Sequence, residues 1–190
     1  MCSANTEEDE KTGKQSGRER MAMTMEVAIE INGLTKRYEE KTAVDHLNLR
    51  VFRGEIFGLL GPNGAGKTTT TLMLTGLTEP TEGTALIGGL DCVRDTMKVK
   101  KTVGYMPDNV GFYGDMTGRE NLRFTAALNG LERKTAEERI EDLLFRTGLA
   151  EAGDQRVGTY SRGMRQRLGV ADVLMKDPQV IIMDESTLGI

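Results

Sequence analysis

A glycine-rich loop in the first half of the chain constrains the fold more than any other feature. It matches the pattern G-x-x-x-x-G-K-[ST] at every specified position, through the residues Gly61, Pro62, Asn63, Gly64, Ala65, Gly66, Lys67 and Thr68. The apolar run 56–60 precedes it, and we predict a strand there that is buried on both faces. Leu72, Met73 and Leu77 follow at a spacing that suits the inner side of a helix. Strand, loop and helix together predict a phosphate-binding loop.

The loop supplies the groups that a polyphosphate needs. Its glycines let backbone N–H groups turn inward without a Cβ clash, and the helix start offers unpaired donors and a positive dipole end. We expect Lys67 to reach the β- and γ-phosphates, the Thr68 hydroxyl to ligate Mg²⁺, and Thr69 to belong to the same site. The alternative is a glycine-rich turn without a ligand, but such a turn does not need Lys and Thr after its last glycine.

Composition narrows the class of protein. A chain of 190 residues is long enough for one domain with a sizeable core, since domains usually contain ~100–200 residues. The net charge of −4 provides no basic field for nucleic acid. No apolar run approaches the ~20 residues that cross a bilayer, so we expect any membrane contact to be peripheral. Cys2 and Cys92 are isolated, which is typical of a reducing cytosol rather than a disulfide framework.

Residues 1–24 are predicted to form a disordered polar tail, because positions 1–20 contain no Val, Ile, Leu or Phe. Order is expected from residue 25, where apolar and polar residues alternate with the period of a strand. The predicted strands include Val27, Ile29 and Ile31; Leu47, Leu49 and Val51; Thr84 to Ile87; and Val103 to Met106, which Pro107 ends. The lone His46 is assigned no role.

A helical region follows. Thr117 with Glu120, and Thr135 with Glu138, match the capping-box pattern and predict two helix starts. The residues expected to face a core are Leu122, Phe124, Ala127 and Leu128 in the first helix and Ile140, Leu143, Leu144 and Phe145 in the second, which Gly148 ends. This helical hairpin is predicted as a subdomain over about 113–165, and a third helix is expected from Ser161 to Lys176.

An acidic pair lies near the end of the chain. The run 180–185 reads as a buried strand that ends in Asp184 and Glu185. Ligands collect at the carboxyl ends of parallel strands, so we expect both carboxylates in the crevice of the glycine-rich loop, where Mg²⁺ would balance them. Tyr38 either covers a core edge or stacks on an adenine ring, and the phosphate loop favours stacking.

In these motifs the chain resembles the nucleotide-binding subunit of ATP-binding cassette (ABC) transporters. Tyr38 matches the adenine-stacking aromatic, and Asp108 matches the glutamine of the Q-loop. The segment 180–185 matches the Walker B strand, and the family signature is matched by Tyr160, Ser161, Arg162, Gly163 and Met164. The resemblance implies a P-loop NTPase core of mostly parallel sheet flanked by helices, with an N-terminal antiparallel β part and the inserted helical subdomain.

The resemblance also implies roles and partners. Glu185 polarises the attacking water, while Asp184, Thr68 and Asp108 serve the Mg²⁺ of bound ATP, and Lys67 is catalytic. The signature of one subunit contacts the γ-phosphate held by another, so ATP closes a homodimer. A separately encoded transmembrane permease is the expected partner, with the subunit peripheral on the inner face of the cell membrane and no nucleic-acid partner. The signature variant is similar to those of drug, antibiotic, copper and nitrous-oxide-reductase maturation exporters.

Several positions depart from the family pattern. Asp108 replaces a Gln, Arg162 and Met164 replace Gly and Gln, and Ser186 replaces a Pro. The chain ends at Ile190, inside the family's D-loop and before its switch histidine, so we expect a C-terminally truncated domain over 25–190. Two alternatives to a transporter ATPase remain open. One is a catalytically inactive fragment that binds ATP weakly, and the other is a soluble ABC protein acting on ribosomes or DNA.

Overall fold

The computed structural model describes residues 26–108 and 110–184. The predictions made for the polar tail, for Glu185 and Ser186 and for the last residues of the chain therefore lie outside the described residues. Within these ranges the chain combines an antiparallel sheet, a short parallel sheet and a layer of helices.

A four-stranded antiparallel sheet forms the first part, in the order β2-β1-β3-β4. Its strands are β1 (Val27–Tyr38), β2 (Lys41–Phe52), β3 (Glu82–Ile87) and β4 (Leu90–Asp91). Ile29 and Ile31 of β1 are buried, as the predicted alternation requires, and Leu34 is buried beyond a shift in the strand register. The strands β1 and β2 join through a tight turn in which Tyr38 pairs with Lys41. The turn thus fixes the position of Tyr38.

Helix α1 (Lys67–Leu74) follows the glycine-rich loop and packs Met73 and Leu74 into the core of the antiparallel sheet. The predicted strand over 56–60 is wrong. This segment has no regular structure and pairs with no strand in the described parts of the chain. Leu60 is 92% exposed and Ile56 is exposed as well. A strand forms only where neighbouring backbone accepts its hydrogen bonds, and the apolar pattern does not report whether such a neighbour is present.

The second sheet is parallel and two-stranded, formed by β5 (Val103–Met106) and β6 (Val180–Met183). The short helix α2 (Thr96–Thr102) leads into β5. Val180 and Ile182 of β6 pack against the core of the first sheet, whereas Ile181 and Met183 are exposed. The expectation of a fully buried β6 is therefore wrong, because the described residues cover only one of its faces. The backbone N–H of Asp184 continues the ladder by donating to the Met106 carbonyl at 2.9 Å.

Three helices form the last layer: α3 (Gly118–Leu128), α4 (Arg133–Arg146) and α5 (Arg162–Leu174). Two short 3-10 turns, Ala150–Ala152 and Val157–Thr159, connect α4 to α5. The helices share a core whose fully buried side chains include Leu122, Ile140, Leu144 and Leu168. The hydroxyl of Thr125 on α3 donates to Asp172 on α5 at 2.5 Å, and burial raises the pKa of the Asp172 carboxyl.

The helical hairpin differs from its prediction in which side chains face the core. Leu122, Ile140, Leu143 and Leu144 are buried as expected, but Ala126 is buried in place of Ala127. Leu128 is 72% exposed and Phe145 is 75% exposed, and Phe124 is also open to solvent. Leu77, expected on the inner side of α1, lies beyond the end of that helix and is exposed. Helical periodicity identifies an apolar stripe but leaves its edges undetermined.

The two capping boxes have different outcomes. Thr117 caps α3 through both bonds of the motif: its hydroxyl accepts from the Glu120 N–H, and the Glu120 carboxylate accepts from the Thr117 N–H. The Thr135 box is wrong, because α4 begins three residues earlier than a Thr135 cap would place it. There the Glu132 carboxylate, not the Thr135 hydroxyl, is the cap, and it accepts from the Thr135 N–H at 3.2 Å.

We therefore expect Thr117→Ala to lower the free energy of unfolding by about 1 kcal/mol, because it leaves helical N–H groups without their acceptor. The matched change Thr135→Ala should stay within about 0.5 kcal/mol, since Thr135 caps nothing. Urea unfolding monitored by circular dichroism measures both. Equal losses in the two variants would show that α4 starts at the position that the sequence predicted.

The fold class is confirmed as mixed α/β, with an antiparallel β part and a separate helical layer. The sequence predicts a mostly parallel sheet, and within the described residues the parallel part consists of β5 and β6. Among these residues, no helix is both long and apolar enough to cross a lipid bilayer.

Candidate nucleotide-binding site

A pocket of about 370 Å³ lies between the β1–β2 turn and the glycine-rich loop. Its volume falls within the range of small-molecule sites, roughly 300–1,000 Å³. The residues that line it are Tyr38, Lys41, Ala43, Asn63, Gly64, Gly66, Lys67, Thr68 and Thr69. The pocket thus brings Tyr38 of the first sheet to the loop that the sequence motif identified.

Two glycines give the loop its shape. Gly64 and Gly66 have φ values of 84° and 86°, in the left-handed region that favours glycine. Gly66 is also packed against β2, because a Cβ built there would lie 2.3 Å from the Ala43 carbonyl oxygen. The helix α1 begins directly after it, with no acidic residue in the first turn. The N-terminal donors and the positive dipole end of α1 therefore remain available to an anion.

Lys67 bends back over the loop. Its Nζ donates to the carbonyl oxygens of Gly61 at 2.9 Å and Pro62 at 3.0 Å. Gly61, Pro62 and Ala65 do not line the pocket themselves, and the first two act by holding this ammonium. Carbonyl oxygens are weaker partners for an ammonium than phosphate oxygens are, so a polyphosphate would displace them.

Tyr38 forms one wall of the pocket at the end of β1, and the residue is 46% exposed. A half-exposed ring presents a flat apolar surface that a nucleobase would cover. The Nζ of Lys36 lies 5.0 Å from the centroid of this ring and donates to the Glu79 carbonyl at 2.7 Å.

The candidate metal ligands lie at three different elements of the structure, α1, β5 and β6. The Thr68 hydroxyl is in the pocket, whereas Asp108 and Asp184 do not line it. Asp108 is exposed after β5, and Asp184 follows β6. Asp184 lies near Tyr105. Burial is the main cause that raises the pKa of the Tyr105 hydroxyl, and the negative charge of Asp184 raises it further. The described residues contain no cluster of three or more His, Cys, Asp and Glu that could hold a metal by itself.

Hydroxyl and carboxylate oxygens are the donors that Mg²⁺ prefers, so Thr68 and Asp184 fit that ion chemically. Mg²⁺ is usually held by one or two such groups together with substrate phosphates. The assignment of Asp184 and Asp108 to the metal stays a prediction.

The signature residues lie at the start of α5. The Ser161 hydroxyl caps this helix by accepting from the Met164 N–H at 3.2 Å. Ser161, Arg162 and Gly163 are exposed, and a Cβ built at Gly163 would meet open space. The first turn of α5 therefore presents backbone N–H donors towards solvent, while the Ser161 hydroxyl is already used as the cap.

Two lining residues were missed at the sequence level, Lys41 and Ala43. Both follow the turn that joins β1 to β2. A polar residue at the start of a strand, such as Lys41, belongs to no motif, and its position at the pocket follows from the hairpin register that pairs it with Tyr38.

Comparisons with known proteins identify the family. The ABC transporter family matches residues 44–188. The bacitracin transport ATP-binding protein BcrA of Bacillus licheniformis is 41% identical over 166 residues, covering 87% of this chain and 53% of BcrA. The ABC transporter ATP-binding protein NatA of Bacillus subtilis (strain 168) is 38% identical over 167 residues, covering 85% of this chain and 68% of NatA.

A further relative is the probable multidrug ABC transporter ATP-binding protein YbhF of Escherichia coli (strain K12). It is 41% identical over 165 residues, which cover 87% of this chain but 28% of YbhF. The chain thus spans about a quarter to two thirds of the length of these three relatives.

Solved structures agree with the sequence comparisons. The structure of cbiO1 from Clostridium perfringens, part of the ABC transporter complex cbiONQ, has a TM-score of 0.79 and 25% identity. It is matched over 87% of this chain and 68% of its own. A structure of an ATP-binding subunit of an ABC transporter has a TM-score of 0.76 and 30% identity, over 85% of this chain and 68% of its own. The resemblance drawn from the motifs is confirmed, and the chain belongs to the ABC transporter family.

Proposed function

We propose that this chain is the ATP-binding and ATP-hydrolysing subunit of a membrane exporter for drug-like or antibiotic-like compounds. The observation that carries the proposal is the pocket that joins Tyr38 to Gly64, Gly66 and the start of α1 at Lys67, Thr68 and Thr69. It offers a flat ring for a base at one end and backbone donors with an ammonium for phosphates at the other. Relatives described as bacitracin transport and daunorubicin resistance ATP-binding proteins support the exporter class.

Different residues of the site would bind different parts of the nucleotide. Lys67 would exchange the carbonyls of Gly61 and Pro62 for the terminal phosphates and neutralise part of their charge. The Thr68 hydroxyl and the Asp184 carboxylate would hold the Mg²⁺ of the nucleotide, which supplies charge neutralisation between the β- and γ-phosphates. Glu185 would orient the water that attacks the γ-phosphate and accept a proton from it.

The start of α5 supports the proposed homodimer. Ser161 and Gly163 are exposed at a helix end that carries positive partial charge, so they are accessible to a γ-phosphate bound by a second copy. In such a dimer ATP contacts both subunits, and hydrolysis weakens the contact between them. ATP would then act as a switch through its differential affinity for the closed and open states.

An exposed aromatic pair supports a transmembrane partner. Tyr113 and Phe124 contact each other edge to face, with ring centroids 5.3 Å apart, and Leu128 lies exposed on the same helix as Phe124. Solvent-facing aromatic and apolar side chains of this kind are typical of interaction surfaces. We place the docking site of the permease here, beside the segment 105–113, at the inner face of the membrane.

The proposal predicts saturable, one-to-one binding of Mg·ATP, which equilibrium dialysis or calorimetry measures. A protein of the competing class, acting on RNA or DNA, would instead bind nucleic acid with strong salt dependence. Binding of Mg·ATP together with co-purification of a polytopic membrane protein supports the proposal. Tight, salt-sensitive nucleic-acid binding without affinity for ATP contradicts it.

A further inference from the structure

We propose that two lysines of the β1–β2 hairpin, Lys36 and Lys41, complete the nucleotide pocket. Lys36 is a positioning residue that holds the Tyr38 ring from the side away from the ligand, and Lys41 is a second cation that contacts the phosphates. Neither residue belongs to the glycine-rich motif. This inference rests on the proposed function, because it concerns the ligand of the same pocket.

The geometry around Lys36 fixes its ammonium at two points. Its Nζ lies 5.0 Å from the Tyr38 ring centroid, within the range of cation–π contacts, and donates to the Glu79 carbonyl at 2.7 Å. Lys36 lies two residues before Tyr38 on β1, with a register shift between Lys36 and Arg37. Tyr38 lines the pocket and Lys36 does not. The ammonium therefore contacts the ring from outside the pocket.

This arrangement has a consequence for the ring. The side chain of a residue that is 46% exposed at the end of a strand is otherwise free to rotate into solvent. The contact with Lys36 restrains the ring, so less conformational entropy is lost when a base stacks on its open face. Lys36 thus acts on the base through Tyr38 and makes no ligand contact of its own.

Lys41 is placed by the hairpin register, which pairs it with Tyr38 across the turn. It lines the same pocket as Lys67 and Thr68. Within the described residues its ammonium has no hydrogen bond or ion pair, whereas Lys67 is held by two carbonyls and Arg37, on the same hairpin, is paired with Glu82. An unpaired cation at the edge of a polyanion pocket matches the charge of a triphosphate.

The test compares two ligands, Mg·ATP and magnesium tripolyphosphate, the second of which has the phosphates but no base. We expect Lys41→Gln to weaken both by about fivefold, because it removes a phosphate contact. Lys36→Gln should weaken Mg·ATP by about threefold and leave tripolyphosphate unchanged. Arg37→Gln is the matched control on the same hairpin, because it removes an exposed ion pair outside the pocket, and it should change neither affinity. Thermal unfolding of each variant verifies that it is folded.

A double variant separates positioning from an independent contact. If Lys36 acts through Tyr38, Lys36→Gln combined with Tyr38→Ala should bind Mg·ATP no more weakly than Tyr38→Ala alone. Full additivity of the two losses, equal losses for both ligands in Lys36→Gln, or unchanged affinities in Lys41→Gln would overturn the inference while leaving the proposed function intact. Failure of the unaltered protein to bind either ligand would instead refute the proposed function, and this inference with it.

Discussion

Lys67→Ala should lower the affinity for Mg·ATP by about 100-fold, which corresponds to the loss of about 3 kcal/mol from charge-assisted hydrogen bonds. Lys67 is the first residue of α1, and its Nζ donates to the carbonyls of Gly61 and Pro62. Its removal leaves the terminal phosphates without their counter-charge. Calorimetric titration of the variant and of the unaltered protein measures the effect.

The control for this experiment is a lysine outside the pocket. Lys134 lies exposed in the first turn of α4, so Lys134→Ala should keep the affinity for Mg·ATP unchanged. Circular dichroism of both variants should match the unaltered protein, because neither side chain is buried. Tight ATP binding by Lys67→Ala would mean that the nucleotide site lies elsewhere.

Gly66→Ala should destabilise the fold far more than Gly64→Ala, although both glycines have positive φ. Alanine in the left-handed region costs about 1–2 kcal/mol at either position. At Gly66 the new Cβ would also lie 2.3 Å from the Ala43 carbonyl, so β2 and the loop must separate. We expect a total loss of about 3 kcal/mol or more for Gly66→Ala, since steric overpacking adds about 1–3 kcal/mol.

Thermal unfolding measures the difference between the two alanine variants. A loss of about 3 kcal/mol corresponds to a decrease in Tm of about 6–12 °C for a chain of this size. A Cβ at Gly64 meets no atom within 4 Å, so Gly64→Ala serves as the control for backbone strain alone. Equal shifts in Tm would show that the loop does not approach β2 as closely as the structure places it.

The loop and its helix were predictable because their chemistry is local. A G-x-x-x-x-G-K-[ST] pattern specifies a backbone path by itself, and the structure has α1 beginning at the lysine of that pattern. The Thr117 capping box was predictable for the same reason, since both of its bonds join residues three positions apart. The alternation in β1 likewise follows from the burial of one face of the sheet.

Features that depend on distant residues were not predictable in the same way. The apolar run 56–60 has the composition of a buried strand, but a strand also needs a neighbour, and the described chain pairs none with it. Thr135 and Glu138 match the capping-box pattern, yet Glu132 is the N-cap because α4 starts earlier. The presence of Lys41 at the pocket depends on the register of a hairpin, which no short motif encodes.

A crystal structure of the protein with Mg²⁺ and a non-hydrolysable ATP analogue tests the central claim most directly. We predict that the base lies against Tyr38, the triphosphate along Gly61 to Thr68, and the metal between Thr68 and Asp184. A nucleotide bound away from this loop, or Lys67 and Asp184 too far apart to share one magnesium-bound triphosphate, would contradict it.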